Sequence, residues 1–190
     1  MASSDEFLLT QFKQGDARAF RELVDRYTPS IYNLAHRLLH DPMEAENVAQ
    51  ETFLRVVVSL DRLRLDVPFK PYLFRIAVNL CRDIGRKKRS LLFTDLDAAA
   101  RDADEDASET IADDAPPLWE QLEEEELRAQ LRAAMDSLPA NYRAVITLRY
   151  VEEFSYEEIA QALNLPLNTA RTHLRRAKQR LRASLKKVAP

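Results

Sequence analysis

Glycine is nearly absent: among 190 residues only Gly15 and Gly85 occur. A GxGxxG turn or a Walker-type phosphate loop therefore cannot be built. Sandwiches and barrels full of tight hairpins are disfavoured for the same reason. The single cysteine, Cys81, excludes an intrachain disulfide framework and a cysteine-rich zinc site, and it fits a reducing cytoplasm. No apolar run approaches the roughly 18 residues that a membrane span needs. The first 15 residues mix Asp5, Glu6 and Lys13 with apolar side chains, so no secretory signal is expected.

What is present is charge, unevenly placed. The chain is 31% charged with a net charge of −3, a balance that by itself argues against a nucleic-acid partner. The average is misleading. Residues 1–90 hold 15 basic and 12 acidic side chains, residues 91–127 hold 1 and 14, and residues 128–190 hold 12 and 5. No acid follows Glu158. Two basic ends thus flank an acidic middle. Residues 94–117 are small, acidic and poor in aromatics, with too little apolar area to offset their chain entropy. They read as a solvated linker ended by Pro116-Pro117, with the charge to mask a basic surface. The expected organisation is all-α: two small helical domains, 1–92 and 118–190, joined by a flexible acidic linker, 93–117.

In the first domain Phe7, Leu8, Phe12, Phe20, Leu23, Val24, Tyr27, Ile31, Leu34, Ala35, Leu38 and Leu39 recur at helical steps. Gly15-Asp16 interrupts them, with Asp16 as N-cap of a helix from Ala17. Pro29 is expected to kink or restart that helix. Asp41-Pro42 opens the next helix, to about Leu60, with a polar face of Glu46, Gln50, Glu51 and Arg55. Asp61 to Pro68 is a loop. A helix from about Phe69 then carries Tyr72, Phe74, Arg75, Ile76, Asn79 and Arg82 and ends in Arg86-Lys87-Lys88-Arg89. Cations there suit a helix C-terminus, but four in a row exceed what capping needs. Interleaved aromatics and bases suit stacking on unpaired nucleobases. Phe74 and Ile76 are expected in the core; Tyr72, Arg75, Asn79 and Arg82 are expected to face solvent.

In the second domain a helix from Leu118 to Met135 is followed by a break at Leu138-Pro139-Ala140-Asn141 and a helix over Tyr142–Tyr150. Ser155 and Glu158 match a capping box opening a short helix, Tyr156–Leu163. A tight turn, Asn164 to Leu167, leads into a basic helix. Its apolar stripe is Ala170, Leu174, Ala177 and Leu181. Short helix, turn and basic second helix make a helix-turn-helix, whose second helix enters the major groove. Arginine there suits guanine O6 and N7.

These segments resemble a group IV (extracytoplasmic-function) sigma factor of bacterial RNA polymerase. Glu44-Ala45-Glu46-Asn47-Val48-Ala49-Gln50-Glu51-Thr52-Phe53-Leu54-Arg55 is similar to the family's DAEDLVQETFLR. The stretch FKPYLFRIAVNLCR, 69–82, resembles the family's −10 helix. Leu138-Pro139, Arg143–Tyr150 and Ser155–Ala160 resemble its −35-binding half. The departures are local. Leu63-Arg64-Leu65-Asp66 stands where relatives read FRGD. Tyr72 stands for a common tryptophan. Leu167-Asn168-Thr169-Ala170-Arg171-Thr172-His173 stands for VGTVRSR, with Asn168 as a candidate cap.

The resemblance implies a factor that binds core polymerase, through its largest and second-largest subunits, and directs initiation at −10 and −35 promoter elements. It implies restraint by an anti-sigma factor and a cytoplasmic location. Core binding falls to Glu46, Gln50, Glu51, Phe53 and Arg55. The −10 element falls to Arg64, Tyr72, Arg75, Asn79, Arg82, Arg86, Lys87, Lys88 and Arg89. The −35 element falls to Asn168, Thr169, Arg171, Thr172, His173, Arg175, Arg176 and Lys178. No catalytic residue, cofactor or metal is expected. His36 and His40 share a helix face but lack a third ligand.

The rival readings are a helix-turn-helix regulator acting without polymerase, a helical adaptor, and an enzyme. The basic-aromatic helix of the first domain disfavours the regulator, and the acid-free C-terminus the adaptor. If the acidic stretch masks the basic ends, deleting residues 97–115 raises the affinity of the free protein for duplex DNA at low salt. Fluorescence anisotropy measures this; unchanged affinity excludes the mask.

Overall fold

The structure is a computed structural model and describes residues 3–63, 67–92 and 124–186. Its described residues form eight α-helices and one 3₁₀ turn, with no strand. The acidic stretch 93–117, the expected helix start at 118–123 and Arg64 lie outside the described residues.

The first half is α1 (Asp5–Lys13), α2 (Ala17–Leu39), α3 (Pro42–Val58) and α4 (Phe69–Leu92), with the 3₁₀ turn at Leu60–Arg62. Helix α2 is central and packs against the other three. Its inward stripe, Leu23, Ile31, Leu34 and Ala35, is fully buried against Val48 and Val56 of α3 and Leu73 and Ala77 of α4. The helix starts are set by side chains. Asp16 accepts from the Arg18 amide at 2.8 Å, and Asp41 accepts from Met43 and Glu44 at 3.1 Å each, with Pro42 at N1. Pro29 neither restarts nor ends α2, which is continuous across it. It lies on the exposed side, where the carbonyl it leaves without a helical donor can bond water. Phe7, counted with the apolar stripe, is exposed instead, and Leu8 and Leu9 take the core positions.

The second half is α5 (Glu124–Asp136), α6 (Ala140–Tyr150), α7 (Tyr156–Leu163) and α8 (Leu167–Lys186). Helix α6 is buried along most of its length, with Tyr142, Val145 and Leu148 against Ile159, Leu163 and Leu174. The capping box at the start of α7 is complete. The Ser155 hydroxyl accepts from the Glu158 amide at 3.2 Å, and the Glu158 carboxylate accepts from the Ser155 amide at 2.7 Å. Asn164 ends α7 in the left-handed region, φ 54°, a conformation asparagine tolerates better than most residues. Helix α8 then starts at Leu167, so Asn168 sits in its first turn and is not the cap. The stripe Ala170, Leu174 and Ala177 is buried as its spacing predicts.

Ser155→Ala removes one side of the capping box and is expected to cost about 1 kcal/mol of stability. Leu148→Ala opens a cavity in the same half and is expected to cost about 2–5 kcal/mol. Urea unfolding followed by far-UV circular dichroism ranks the two.

Candidate nucleic-acid interface

Helix α4 sorts its side chains sharply. Phe74 is fully buried and Phe69 nearly so, the latter edge-on to Tyr27 at 6.0 Å between centroids. Neither is free to stack on a base. Arg75, Asn79 and Arg82 are exposed, and Ile76 is half-buried. Tyr72, expected to face solvent, does so only in part and is half-buried. Its hydroxyl lies 2.8 Å from Ser59 Oγ, and the Arg75 guanidinium lies 5.4 Å from its ring centroid. Tyr72 and Arg75 line an open cleft of about 460 Å³ whose far wall includes Gln161, Asn164 and Leu165.

The basic run at the end of α4 is divided between two tasks. Lys88 bonds Asp41 at 2.8 Å and lies 3.7 Å from Glu44, so it closes the N-terminus of α3. That hydrogen bond, with the Glu44 amide, holds the Asp41 carboxyl below the usual carboxylate range. The contribution is in place at neutral pH and disappears when acid protonates the carboxylate. Arg86 is exposed and pairs with Asp83 at 3.1 Å, and Lys87 is exposed. Arg89 belongs to α4 by its backbone.

On α3, Glu46, Gln50 and Arg55 are exposed, and Glu51 pairs with Arg55 at 2.9 Å. Phe53 does not belong with them. It is 6% exposed and stands edge-on to Phe20, because the Ala45–Val56 stripe that includes it faces α2. In line with Glu46 and Gln50 stand two outward apolar residues, Leu54, 59% exposed, and Val58, 88% exposed. They were missed because an apolar type in a helix reads as core. The signal was available: positions 46, 50, 54 and 58 form one four-step row on the polar face.

Helix α8 presents Asn168 and Arg171 to solvent, with Thr169, Thr172, Arg175, Arg176 and Lys178 half-exposed. Arg171 is steered by Glu157 at 3.9 Å and by the Tyr156 ring at 5.7 Å. His173 is turned inward, edge-on to Tyr142 at 5.6 Å.

The two halves are packed together, which periodicity does not reveal. The Lys70 ammonium of α4 reaches across to the Glu152 carbonyl at 2.7 Å. It lies 4.8 Å from the Phe154 ring centroid and 5.9 Å from that of Phe74. The two rings stand 5.0 Å apart. The Glu152 carboxylate, almost fully buried, lies 3.9 Å from the same ammonium. Arg82 donates to the Leu163 carbonyl at 3.2 Å. A second joint is built on Arg143, 7% exposed. It donates to the carbonyls of Arg37 (2.8 Å), Leu138 (2.9 Å) and Asp136 (3.2 Å), and its guanidinium also meets the His40 ring.

No group of histidine, cysteine, aspartate or glutamate among the described residues is placed to hold a metal ion. His36 stacks on Tyr32, while His40 lies 3.6 Å from Asp136. Cys81 is buried, which pushes its thiol up to about 12 and leaves little thiolate for chemistry. Among the described residues no helix is long and apolar enough to cross a membrane.

Two basic helices, one per half and one of them in a helix-turn-helix, define a two-part nucleic-acid reader. Residues 23–91 match the family profile for sigma-70 region 2, and residues 128–181 match that for sigma-70 region 4. The chain is 36% identical over 178 residues to the ECF RNA polymerase sigma factor SigW of Bacillus subtilis, covering 94% of this chain and 95% of that one. It is 32% identical to the RNA polymerase sigma-H factor of Pseudomonas aeruginosa, covering 95% and 93%. The chain belongs to the ECF family of RNA polymerase sigma factors. The fold is shared with CnrH, solved in complex with the cytosolic domain of CnrY, at a TM-score of 0.71 and 24% identity. That match covers 98% of this chain and 100% of CnrH.

Lys70→Ala removes the central cation of the seam and leaves the buried Glu152 carboxylate without its partner. The expected result is a larger radius of gyration by small-angle X-ray scattering with unchanged helix content by circular dichroism. An unchanged radius shows that the aromatic pair and Arg143 suffice.

Proposed function

We propose that this sigma factor docks on core RNA polymerase through the outer face of α3, with Glu46, Gln50, Glu51, Leu54, Arg55 and Val58. Helix α4 reads and holds the −10 element with Tyr72, Arg75, Asn79 and Arg82, helped by Arg86, Lys87 and Arg89. Helix α8 reads the −35 duplex with Asn168, Arg171, Thr172, Arg175 and Arg176. The protein supplies recognition, not bond chemistry, and acts in the cytoplasm. The observation that supports this most is the pairing on one chain of a face on α4 that sets half-buried Tyr72 beside exposed Arg75, Asn79 and Arg82 with a basic face on α8.

The closed arrangement sets a condition on that activity. About 25 base steps separate the two elements, roughly 85 Å of duplex at 3.4 Å per step. A compact chain of 190 residues has a radius of gyration of only about 16 Å. It cannot lie on both elements at once, so α7 must leave α4, releasing Lys70 and Arg82. An anti-sigma factor is the partner suited to oppose that opening. The structure of RpoE from Bartonella quintana, which shares this fold, was determined with the anti-sigma factor NepR.

The test is transcription with core polymerase and a randomised promoter library. Promoter-specific initiation is expected, and its absence together with absence of core binding ends the proposal. Arg171→Ala is expected to relax −35 preference by ~1–3 kcal/mol per lost base contact. Glu51→Lys and Val58→Glu are each expected to weaken core binding while leaving −35 duplex affinity unchanged.

A further inference from the structure

Ser59 lies at the junction of α3 and α4, outside every residue set assigned above. It is the residue that ends α3, and its amide bonds the Arg55 carbonyl at 3.0 Å. Its Oγ has three neighbours: the Arg55 carbonyl at 2.7 Å, the Val56 carbonyl at 3.2 Å and the Tyr72 phenol at 2.8 Å. A serine hydroxyl carries one proton, and a carbonyl only accepts. The nearer carbonyl therefore takes the Ser59 proton. Ser59 Oγ is left as an acceptor, and the Tyr72 O–H donates to it. The phenol is fixed at its far end, and Arg75 covers the ring at 5.4 Å. With Phe69 and Phe74 buried, Tyr72 is the aromatic of α4 that borders open space.

We propose that Ser59 is a positioning residue for promoter reading: it holds the Tyr72 ring as a stacking platform for one unpaired base of the −10 element. This rests on α4 being the −10 helix. A ring anchored at its hydroxyl does not swing on χ1 and χ2 when a base arrives, so less orientational entropy is lost on stacking. The anchor also has a direction. Ser59 follows directly on Val58 and lies one turn after Arg55, two residues of α3 proposed to meet polymerase. The end of the docking helix thus fixes the base-reading side chain.

The experiment uses holoenzyme assembled from core polymerase and the full chain. The probe is a fluorescein-labelled single strand carrying the non-template −10 sequence selected from the promoter library. Ser59→Ala and Tyr72→Phe each remove the same hydrogen bond. Each is expected to weaken single-strand binding about fivefold, and the double variant is expected to be no weaker than either. Ser59→Thr, which keeps the hydroxyl, is expected to bind as the unaltered protein does. Tyr72→Ala is expected to lose more than Tyr72→Phe. Core affinity, −35 duplex affinity and the slope of log affinity against log salt are expected to stay the same, since no phosphate contact is lost.

Additive losses in the double variant overturn the proposal, because the two groups then act separately. A Ser59→Ala variant that loses core and −35 affinity alike also overturns it, since Ser59 would then serve the fold. If Tyr72→Ala weakens single-strand binding and Ser59→Ala does not, Tyr72 reads DNA without this anchor. If Tyr72→Ala binds the strand normally, the assignment of Tyr72 to the −10 element fails first.

Discussion

A lysine ammonium sits at the centre of the contact between α4 and the second half of this protein. Lys70 lies beside the paired rings of Phe74 and Phe154 and donates to the Glu152 carbonyl, with the buried Glu152 carboxylate close by. The arrangement is consistent only as a whole. The carboxylate is tolerated out of water because a cation faces it. The cation gains from two aromatic faces in place of part of its hydration. The rings in turn bury each other across the seam. Together with the Arg82 bond to the Leu163 carbonyl, that contact holds α7 against α4 and so helps set which faces of both helices meet solvent.

The helices themselves were legible in the sequence. Asp16, Asp41-Pro42 and the Ser155–Glu158 box mark starts that the structure places within a residue of expectation. The stripe of α8 was legible because four- and three-residue steps leave one solution for a helix packed on one side. Pro29 was misjudged because a proline on the wet side of a long helix costs its hydrogen bond where water can replace it. Phe53 was misplaced among outward residues, and Leu54 and Val58 were left out. A residue type does not reveal which side of α3 is covered; that depends on where α2 lies.

The seam was not legible at all. Lys70, Glu152 and Arg143 are three charged residues that sequence reasoning leaves on the surface, and each is drawn inward by a partner 82 to 106 positions away. Pairings over that distance leave no periodic trace. Burial of a charged side chain is decided by what meets it. The same holds for Lys88, one of four consecutive cations, which only the fold shows to be committed to Asp41. The site is thus less uniformly basic than the sequence implies, with Arg75, Arg82, Arg86 and Arg171 among its outward arginines.

The shortage of glycine leaves a mark on the backbone. Among the described residues three other than glycine adopt left-handed φ values: His40 at 54°, Glu153 at 58° and Asn164 at 54°. All three lie at the boundary between the halves. His40 touches Arg143, Glu153 lies between Glu152 and Phe154, and Asn164 follows Leu163 and borders the cleft. The conformation costs His40 and Glu153 of order 1–2 kcal/mol each, and Asn164 less. Such conformations persist only where the surrounding structure holds them, so the corners at the boundary depend on the packing around them. The opening proposed above therefore removes part of the packing that holds these corners.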